Sequence, residues 1–264
     1  MTESMAERMK IASQGQGIPL VFIHGWGLNS AVWQPCLAQL QTDFEVITVD
    51  LPGFATNNLV QLAQYSLVEI ADAIIDAVGK PAVYIGWSLG GLVASQIAIK
   101  HPEHVLGLIT VASTPQFIER DNWPGIKASV LALFHQQLAK DTTKTISNFL
   151  KIQAMGSPHI RQDIKTIRDL VMQHEQPTRQ VLDDSLSLLE TSNLTEQLSG
   201  INLPFFRLYG KLDGLVPKQV IALIDELAPN SQRYVFEQAS HAPFISHQAE
   251  FLTIVNHWLT EHVN

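Results

Sequence analysis

The feature that most limits the fold of this chain is a series of short segments that are mostly apolar along their whole length. A strand with one face in water alternates apolar and polar residues, whereas a parallel strand covered on both faces is apolar throughout. Six segments, each six to eight residues long, fit the second pattern or come close to it. The predicted strands are 18–24, 44–50, 82–87, 105–112, 204–210 and 232–237.

Helical patterns separate most of these strands. The alternation of strand and helix predicts an α/β fold, with a mostly parallel central sheet and helices on both of its faces. The predicted helices of these layers are 30–42, 66–79, 89–101, 217–228 and 247–261.

The alternation is interrupted once, by about ninety residues without a convincing strand between 112 and 204. An excursion of this length is too long for an ordinary loop. We therefore expect a helical cap at residues 115–191, inserted after the strand at 105–112, over an α/β core made of residues 1–114 and 192–264. The cap helices are predicted at 125–139, 142–154, 159–173 and 178–191.

Composition indicates where the protein works and what it does not bind. The chain has no run of the roughly 20 apolar residues that a membrane helix needs, its first ten residues are polar and charged, and Cys36 is its single cysteine. These features predict a cytoplasmic protein without a secretory signal or a membrane partner.

The formal net charge is −8, and none of it comes from residues 116–190, which hold nine basic and nine acidic residues. Such an acidic body disfavours nucleic acid as a partner. We also expect a monomer.

A Gly-x-Ser-x-Gly sequence occupies residues 86–90, at the end of one predicted strand and the start of a predicted helix. In that context the motif indicates a nucleophile elbow, in which the serine sits on a sharp strand-to-helix turn. The glycines let strand and helix pass closely, and the helix N-terminus favours negative charge at the reacting centre. Ser88 is therefore the predicted nucleophile.

A nucleophilic serine needs a base, and the base needs an orienting acid. In folds with this elbow the order along the chain is Ser, then Asp or Glu, then His. Asp213 follows the strand at 204–210, and His241 lies between the last strand and the final helix. Both positions are on the rim where parallel strands end. We predict that Asp213 and His241 complete a catalytic triad with Ser88.

Alternatives exist for the acid. Asp-Gly is a common turn pair, so Asp213 is also consistent with a turn residue. Asp225 and Glu226 fall inside a predicted helix and are interpreted as part of a solvated face. Asp50 also follows a strand, but it precedes the nucleophile in sequence and is interpreted as a support for the turn after it.

Acyl transfer also needs hydrogen-bond donors aimed at the developing oxyanion. The backbone N–H of Leu89, the residue after the nucleophile, is the first predicted donor. The loop His24-Gly25-Trp26-Gly27 follows the first predicted strand, and the Trp26 backbone N–H is the predicted second donor. His24 is interpreted as a residue that bonds the backbone of its own loop. The sequence contains no metal-ligand cluster, P-loop or dinucleotide fingerprint, so we expect neither a metal nor a cofactor.

Six short segments carry a more specific pattern: 24–29 (HGWGLN), 50–54 (DLPGF), 86–98 (GWSLGGLVASQIA), 121–127 (DNWPGIK), 208–217 (LYGKLDGLVP) and 241–247 (HAPFISH). With these segments the chain resembles the α/β-hydrolase superfamily along its whole length. It resembles more closely the pimeloyl-[acyl-carrier protein] methyl ester esterases of biotin synthesis. This resemblance implies hydrolysis of the methyl ester of a pimeloyl chain carried by an acyl-carrier protein, which frees a carboxylate for biotin assembly.

The resemblance also implies particular binding residues. The substrate-binding set would be Trp26, Ser88, Leu89, Phe149, Leu150, Lys151, Ile152, Gln153 and His241. The carrier-facing basic positions would be Lys144, Arg161 and Lys165. Three features depart from the family pattern: Lys151 is charged where a small apolar residue is common, Asn148 is uncharged where arginine is expected, and the turn at 53–57 reads Gly-Phe-Ala-Thr-Asn.

Charge supports a docking role independently of the resemblance. Arg161, Lys165 and Arg168 lie at i, i+4 and i+7, on one face of a predicted helix, and residues 140–168 contain six basic and two acidic residues. Such a surface attracts an acidic partner such as an acyl-carrier protein. The alternative is an ordinary solvated helix surface.

Other functions remain open at this point, because a triad does not select its ester. One alternative is a broad-specificity short-chain carboxylesterase or a thioesterase. An alternative of another class is a protein that binds a ligand through the same fold without hydrolysing it.

Overall fold

The computed structural model describes residues 8–154 and 159–263 of the chain. The polar start, on which the expectation of no secretory signal rests, lies largely outside these residues. The described part contains a seven-stranded sheet. Its strands are β1 (Ile11–Gln14), β2 (Pro19–Ile23), β3 (Glu45–Val49), β4 (Ala82–Trp87), β5 (Val105–Val111), β6 (Phe205–Gly210) and β7 (Gln232–Phe236).

The strands lie side by side in the order β1-β3-β2-β4-β5-β6-β7. From β3 to β7 along this order each strand is parallel to its neighbours, and only β1 pairs antiparallel, with β3. The carboxyl ends of six strands therefore meet at one edge of the sheet. The predicted six strands are present, and β1 is an addition that the sequence analysis missed.

Ten α-helices flank or follow these strands in the described residues. They are α1 (Gln34–Leu40), α2 (Leu67–Val78), α3 (Leu89–Lys100), α4 (Ala128–Lys140), α5 (Thr142–Ala154), α6 (Ile160–Val171), α7 (Arg179–Thr191), α8 (Val220–Leu227), α9 (Pro243–Ser246) and α10 (Gln248–His262).

The sheet separates two hydrophobic cores, because successive residues of a strand point to opposite faces. In β2, Val21 and Ile23 pack into the core formed with α2, α3 and α8. Leu20 and Phe22 pack into the other core, formed with α1 and α10. Strands covered on both faces explain the apolar runs from which the fold was predicted.

Local sequence signals fix the ends of α2. The Ser66 hydroxyl caps its first turn by accepting a hydrogen bond from the Glu69 N–H, and Gly79 ends the helix in the left-handed conformation. Between these caps, apolar residues spaced three and four apart are buried. Both signals agree, and the observed helix differs from the predicted 66–79 by one residue at each end.

The predicted helix 30–42 is instead two elements. Residues Ser30–Trp33 form a 3₁₀ turn, and α1 begins at Gln34 with Pro35 in its first turn. Asn29 caps the 3₁₀ turn, because its side chain accepts a hydrogen bond from the Ala31 N–H at 3.2 Å.

Helices α4 to α7 lie between β5 and β6, and we refer to them as the cap helices. Among them, α4 contacts α5 and α7, and α5 contacts α6. Helix α6 also contacts α9 and the 3₁₀ turn at Ser30–Trp33. Helix α6 thus joins the cap helices to two elements that follow the carboxyl ends of β2 and β7.

Candidate active site

Ser88 occupies the turn between β4 and α3 in a strained backbone conformation, with φ 55° and ψ −117°. A residue with a side chain rarely adopts positive φ, and such strain costs on the order of 1–3 kcal/mol. The flanking glycines explain how the turn closes. A Cβ on Gly86 would lie 2.1 Å from the Gly90 carbonyl oxygen, and a Cβ on Gly90 would lie 2.3 Å from the Ile23 carbonyl oxygen. Only glycine fits at both positions, as the motif requires.

Asp213 and His241 form the hydrogen bond expected of an orienting acid and a base. The Asp213 Oδ2 atom is 2.7 Å from His241 Nδ1, and both side chains are only 1% exposed. The other carboxylate oxygen accepts hydrogen bonds from the N–H groups of Leu215 (2.8 Å) and Val216 (3.1 Å). These bonds hold the carboxylate in one orientation, with its second oxygen directed at the imidazole.

The second imidazole nitrogen of His241, Nε2, is buried and has no hydrogen-bond partner in the described part of the chain. With Nδ1 donating to Asp213, Nε2 is the nitrogen that can accept a proton. The ring lies 5.7 Å from the Trp87 ring, and the Trp87 indole N–H donates to the His241 carbonyl oxygen at 2.7 Å. The residue before Ser88 thus holds the histidine loop against the elbow.

The loop that carries Trp26 runs beside the nucleophile. A Cβ on Gly25 would lie 3.4 Å from the Ser88 Cβ atom, so this glycine backbone is in close contact with the elbow. Within the described residues, no backbone hydrogen bond is made by the N–H groups of Trp26 or Leu89. Neither predicted oxyanion donor is therefore taken up by a backbone acceptor of the described residues.

His24 supports this loop from behind, as the sequence analysis expected. Its Nδ1 is 2.8 Å from the Gly25 carbonyl oxygen, and its Nε2 accepts a hydrogen bond from the Leu51 N–H at 3.0 Å. The two bonds require a neutral ring with the proton on Nδ1. Burial lowers the pKa of His24, against the opposing effects of Asp50 and of the Gly25 hydrogen bond.

The indole of Trp26 is buried beneath the cap helices. It lies edge-on to Phe149 with ring centroids 4.8 Å apart and edge-on to Phe134 at 6.4 Å, and its N–H donates to the Leu182 carbonyl oxygen at 3.0 Å. Three of the four cap helices thus contact the side chain of Trp26, the residue whose backbone N–H is a predicted oxyanion donor.

The predicted substrate-lining stretch at 149–153 is only partly brought to the site. Phe149, Leu150 and Gln153 are buried and Ile152 is partly buried. Lys151 is exposed, and its ammonium lies 3.4 Å from the Asn148 side-chain oxygen, so the structure does not bring it to the buried group. A lysine at this position is therefore accommodated on the outer face of α5.

Gln153 adds a contact that the sequence analysis missed. Its carbonyl oxygen accepts hydrogen bonds from the His241 N–H at 3.3 Å and from the Ser240 hydroxyl at 3.1 Å. Its side-chain amide is buried, and neither amide atom has a hydrogen-bond partner in the described residues. The carboxyl end of α5 therefore rests directly on the loop that carries the histidine.

Rival acids identified in the sequence have other partners. Asp225 forms ion pairs with Arg207, at 2.6 Å, and with Arg233, and Glu226 is exposed. Asp50 accepts hydrogen bonds from the Ser30 N–H at 2.7 Å and from the Thr56 hydroxyl at 2.6 Å, so it supports the turn that follows it.

The predicted docking residues Lys144, Arg161, Lys165 and Arg168 are all exposed. Lys165, however, forms an ion pair with Asp169 at 2.6 Å, and the Arg168 Nε atom is 3.9 Å from the same carboxylate. The hydrogen bond from Lys165 lowers the pKa of Asp169. Asp169 lies just beyond the 140–168 window in which charges were counted, so the face is less positive than that count indicates.

The chain is similar to known proteins over most of its length. Residues 18–248 match a family described as the alpha/beta hydrolase fold. A curated protein of Aeromonas hydrophila, named pimeloyl-[acyl-carrier protein] methyl ester esterase, is 47% identical over 245 residues, which cover 93% of this chain and 96% of that protein. The chain belongs to the pimeloyl-[acyl-carrier protein] methyl ester esterase family of α/β hydrolases. The resemblance and the fold class predicted from the sequence are confirmed, and the protein is a carboxylic ester hydrolase.

Solved structures share the fold of this esterase at low sequence identity. An esterase from Exiguobacterium antarcticum superposes with a TM-score of 0.84 at 22% identity and covers 95% of both chains. A bromoperoxidase from Bacillus anthracis superposes with a TM-score of 0.85 at 18% identity, over 95% of this chain and 94% of that one. At these identities the likeness shows the fold alone.

The described residues of this esterase contain no group of three or more His, Cys, Asp or Glu side chains arranged to hold a metal ion. None of their helices combines the length and the apolar character required to cross a bilayer.

Proposed function

We propose that this protein hydrolyses the methyl ester of a pimeloyl chain carried on an acyl-carrier protein, releasing methanol and leaving the chain on its carrier. The observation that carries the proposal is the buried Asp213–His241 hydrogen bond, at 2.7 Å, beside a strained Ser88 elbow in a chain of this family. Membership of the family supports the choice of substrate, and the geometry of the site supports hydrolysis through a serine nucleophile.

The first half-reaction forms an acyl-enzyme. His241 Nε2 takes the Ser88 hydroxyl proton as the serine oxygen attacks the ester carbonyl. The backbone N–H groups of Trp26 and Leu89 donate to the oxyanion, and each such donor is worth a factor of about 10²–10³ in rate. The imidazolium then gives its proton to the leaving methanol.

The second half-reaction repeats these roles with water in place of the serine. Water loses a proton to His241 and attacks the acyl-enzyme, and the proton returns to Ser88 as the free carboxylate leaves. Asp213 stays ionised throughout, fixes the Nδ1–H tautomer and stabilises the imidazolium. No step in this sequence requires a metal or an organic cofactor.

Substrate binding in the proposal uses residues of both layers. Phe149 and Trp26 present apolar surface to the acyl chain, and the unpartnered amide of Gln153 is available to a polar group of the substrate. Lys144, Arg161, Lys165 and Arg168 attract the acidic carrier, with Lys165 weakened by its pair with Asp169. We propose accordingly that residues 115–191 act as a substrate-selecting cap on the hydrolase core.

The test is incubation of the pure protein with the carrier-bound pimeloyl methyl ester, with loss of the methyl group followed by mass spectrometry. A Ser88→Ala variant is the control, and we expect its rate to be lower by at least about 10³-fold. Fast demethylation that depends on Ser88 and leaves the carrier thioester intact is the expected result.

Other outcomes point to the alternatives. Cleavage of short-chain esters with no action on the carrier-bound ester would indicate a broad-specificity carboxylesterase, and release of the chain from the carrier would indicate a thioesterase. Failure of a fluorophosphonate probe to label Ser88 would contradict an activated serine and would favour a ligand-binding protein.

A further inference from the structure

The end of β5 binds both backbone polar groups of the strained serine. The Ser88 N–H donates to the Val111 carbonyl oxygen at 2.9 Å. The Ser88 carbonyl oxygen accepts a hydrogen bond from the Ser113 hydroxyl at 2.8 Å, and this contact is buried. Two residues that are neither in the elbow motif nor in the triad thus hold the nucleophile from the neighbouring strand.

Ser113 is seated closely against the elbow. A Cβ on Gly91 would lie 2.5 Å from the Ser113 Cβ atom and 2.6 Å from its hydroxyl oxygen, so the Ser113 side chain packs directly against the Gly91 backbone. Ala112, between the two bonding residues, also has a positive φ of 46°. This left-handed residue lies just after β5, between the two residues that bond Ser88.

A strained conformation persists only where its surroundings over-determine it. The Ser88 carbonyl also accepts the helical N–H groups of Gly91 (2.9 Å) and Leu92 (3.2 Å), but these bonds belong to the first turn of α3 itself. The Ser113 hydroxyl is a side-chain donor from outside that turn. Its bond fixes the Ser88–Leu89 peptide, and that peptide carries both the nucleophile's carbonyl and the Leu89 N–H.

We propose that Ser113 is a positioning residue for the hydrolytic reaction. It does not touch the substrate, and acts by fixing the plane of the Ser88–Leu89 peptide. A planar peptide whose carbonyl oxygen is held also has its N–H direction fixed. Ser113 therefore sets the direction of the Leu89 oxyanion donor and the orientation of the Ser88 side chain together. The proposal rests on Ser88 being the nucleophile.

Ser95 offers a matched control. Its hydroxyl donates to the Gly91 carbonyl oxygen at 2.8 Å, so it makes a buried side-chain-to-backbone bond of the same kind on the same helix, one turn away from the elbow. Ser95 and Ser113 also line the same small cavity, of about 10 Å³, together with Thr110, Arg207 and Tyr209. Removal of either hydroxyl opens similar space and deletes one similar bond, but only Ser113 contacts Ser88.

The experiment compares Ser113→Ala with Ser95→Ala in the full-length protein. The readouts are kcat and KM on a methyl ester, the rate of Ser88 modification by a fluorophosphonate, and the melting temperature. We expect Ser113→Ala to lower kcat and the modification rate by about tenfold, because a less well-directed Leu89 N–H weakens its hydrogen bond to the oxyanion in the transition state. KM should stay within twofold. Ser95→Ala is expected to keep both rates within twofold while it lowers the melting temperature by a similar amount.

Rates in Ser113→Ala that stay within twofold of the parent, or equal losses in both variants, would overturn the proposal. Ser113→Cys extends the test if the alanine variant does not fold, because a thiol fills the space but is a weak donor. We expect kcat of Ser113→Cys to fall, and an unchanged kcat in a folded Ser113→Cys protein would count against the proposal. A Ser88→Ala variant assayed in parallel tests the nucleophile assignment separately from the role of Ser113. Full activity of Ser88→Ala would refute the nucleophile assignment itself.

Discussion

At the scale of single residues, the peptide between Gly25 and Trp26 is held by one imidazole. The Gly25 carbonyl bonds His24 Nδ1 at 2.8 Å, and the Trp26 N–H belongs to the same rigid plane. The neutral ring also accepts a hydrogen bond from the Leu51 N–H at Nε2, and protonation of Nε2 would remove that bond while Nδ1 still donates to Gly25. The support of a predicted oxyanion donor thus depends on the protonation state of a residue outside the triad.

Stability should respond to pH through His24. Burial lowers the pKa of His24 below its ordinary value of 6.5, so between the two values the folded protein binds fewer protons than the unfolded chain. The contribution of the neutral His24 ring to the free energy of unfolding is complete above about pH 6.5. It is lost as the pH falls towards the lowered pKa. We expect the free energy of unfolding in urea to fall between pH 7 and pH 5 more steeply in the parent than in His24→Asn. Parallel pH profiles for the two proteins would contradict this prediction.

Asp213 and Asp225 provide a second test, because both are carboxylates and only one bonds His241. Asp213→Asn should lower kcat by about 10⁴-fold with little change in KM, since an amide at this position favours the wrong imidazole tautomer. Asp225→Asn removes charge from the ion pairs with Arg207 and Arg233, and should lower the melting temperature while kcat stays within about twofold. Steady-state kinetics and thermal unfolding of both variants measure this contrast, and a reversed pattern would exchange the two assignments.

The sequence was informative about residues that directly follow a strand. Asp213 and His241 were selected because each comes after a strand end, and the structure brings them within 2.7 Å. Ser113 also follows a strand, but small polar residues are common there and no motif marks it. The contact between the Gln153 carbonyl and His241 could not be predicted from the sequence, because it depends on how α5 packs and not on the identity of residue 153.

At the scale of elements, the close approach of the histidine loop to the end of β6 depends on Gly210. A Cβ there would lie 1.9 Å from the Ser240 carbonyl oxygen and 2.6 Å from that of Ala239. The missing side chain lets the histidine loop cross directly behind the end of the strand, three residues before Asp213. This crossing is what brings acid and base together from segments 28 residues apart.

Gly210→Ala should therefore destabilise the protein by about 2 kcal/mol or displace the histidine loop, because the backbone oxygens cannot yield as a side chain would. Gly200→Ala is the matched control, since no atom lies within 4 Å of a Cβ built there. Urea unfolding and kcat are the measurements. A Gly210→Ala protein with unchanged stability and unchanged kcat would show that the loop has room to move.

Elements buried on both faces were predictable, and edge elements were not. Strand β1 reads Ile-Ala-Ser-Gln, has one partner strand and no fully buried residue, so nothing in its pattern distinguishes it from a loop. The 3₁₀ turn at Ser30–Trp33 was merged into a longer helix because its apolar residues continue the pattern of α1. For β1 the partner strand β3, and not the local sequence, decides the conformation.

At the scale of the whole molecule, charge is distributed unevenly. The residues outside 116–190 carry the entire net charge of −8, whereas the cap helices present exposed basic side chains. Under the proposed function, we expect an acidic carrier to be repelled by the core and attracted by the basic side chains of α5 and α6. The sequence analysis predicted a mostly parallel sheet, but it predicted neither the order of the strands nor the antiparallel edge strand.

Reversal of one charge tests this asymmetry. Arg161 is the best target, because Lys165 is already paired with Asp169 and no ion pair is found for Arg161 in the described residues. Arg161→Glu should lower kcat/KM for a carrier-bound ester by about fivefold at low ionic strength and by less as salt rises.

Two controls accompany that measurement. Lys80→Glu makes the same change in net charge just before β4, at the opposite end of that strand from Ser88, and should leave kcat/KM within about twofold. A free methyl ester should be hydrolysed equally by all three proteins. An equal loss for both charge reversals would attribute the effect to net charge and contradict a docking face.

The hydrogen bonds from His241 and Ser240 to the Gln153 carbonyl have a practical consequence for protein engineering. Exchange of the four cap helices between relatives is an obvious route to a new acyl preference, but the last turn of α5 supports the backbone of the proposed general base. A chimaera that grafts α4 to α7 alone would mix this junction from two parents. The recombination points should therefore be chosen so that residues 239–242 travel with the grafted helices.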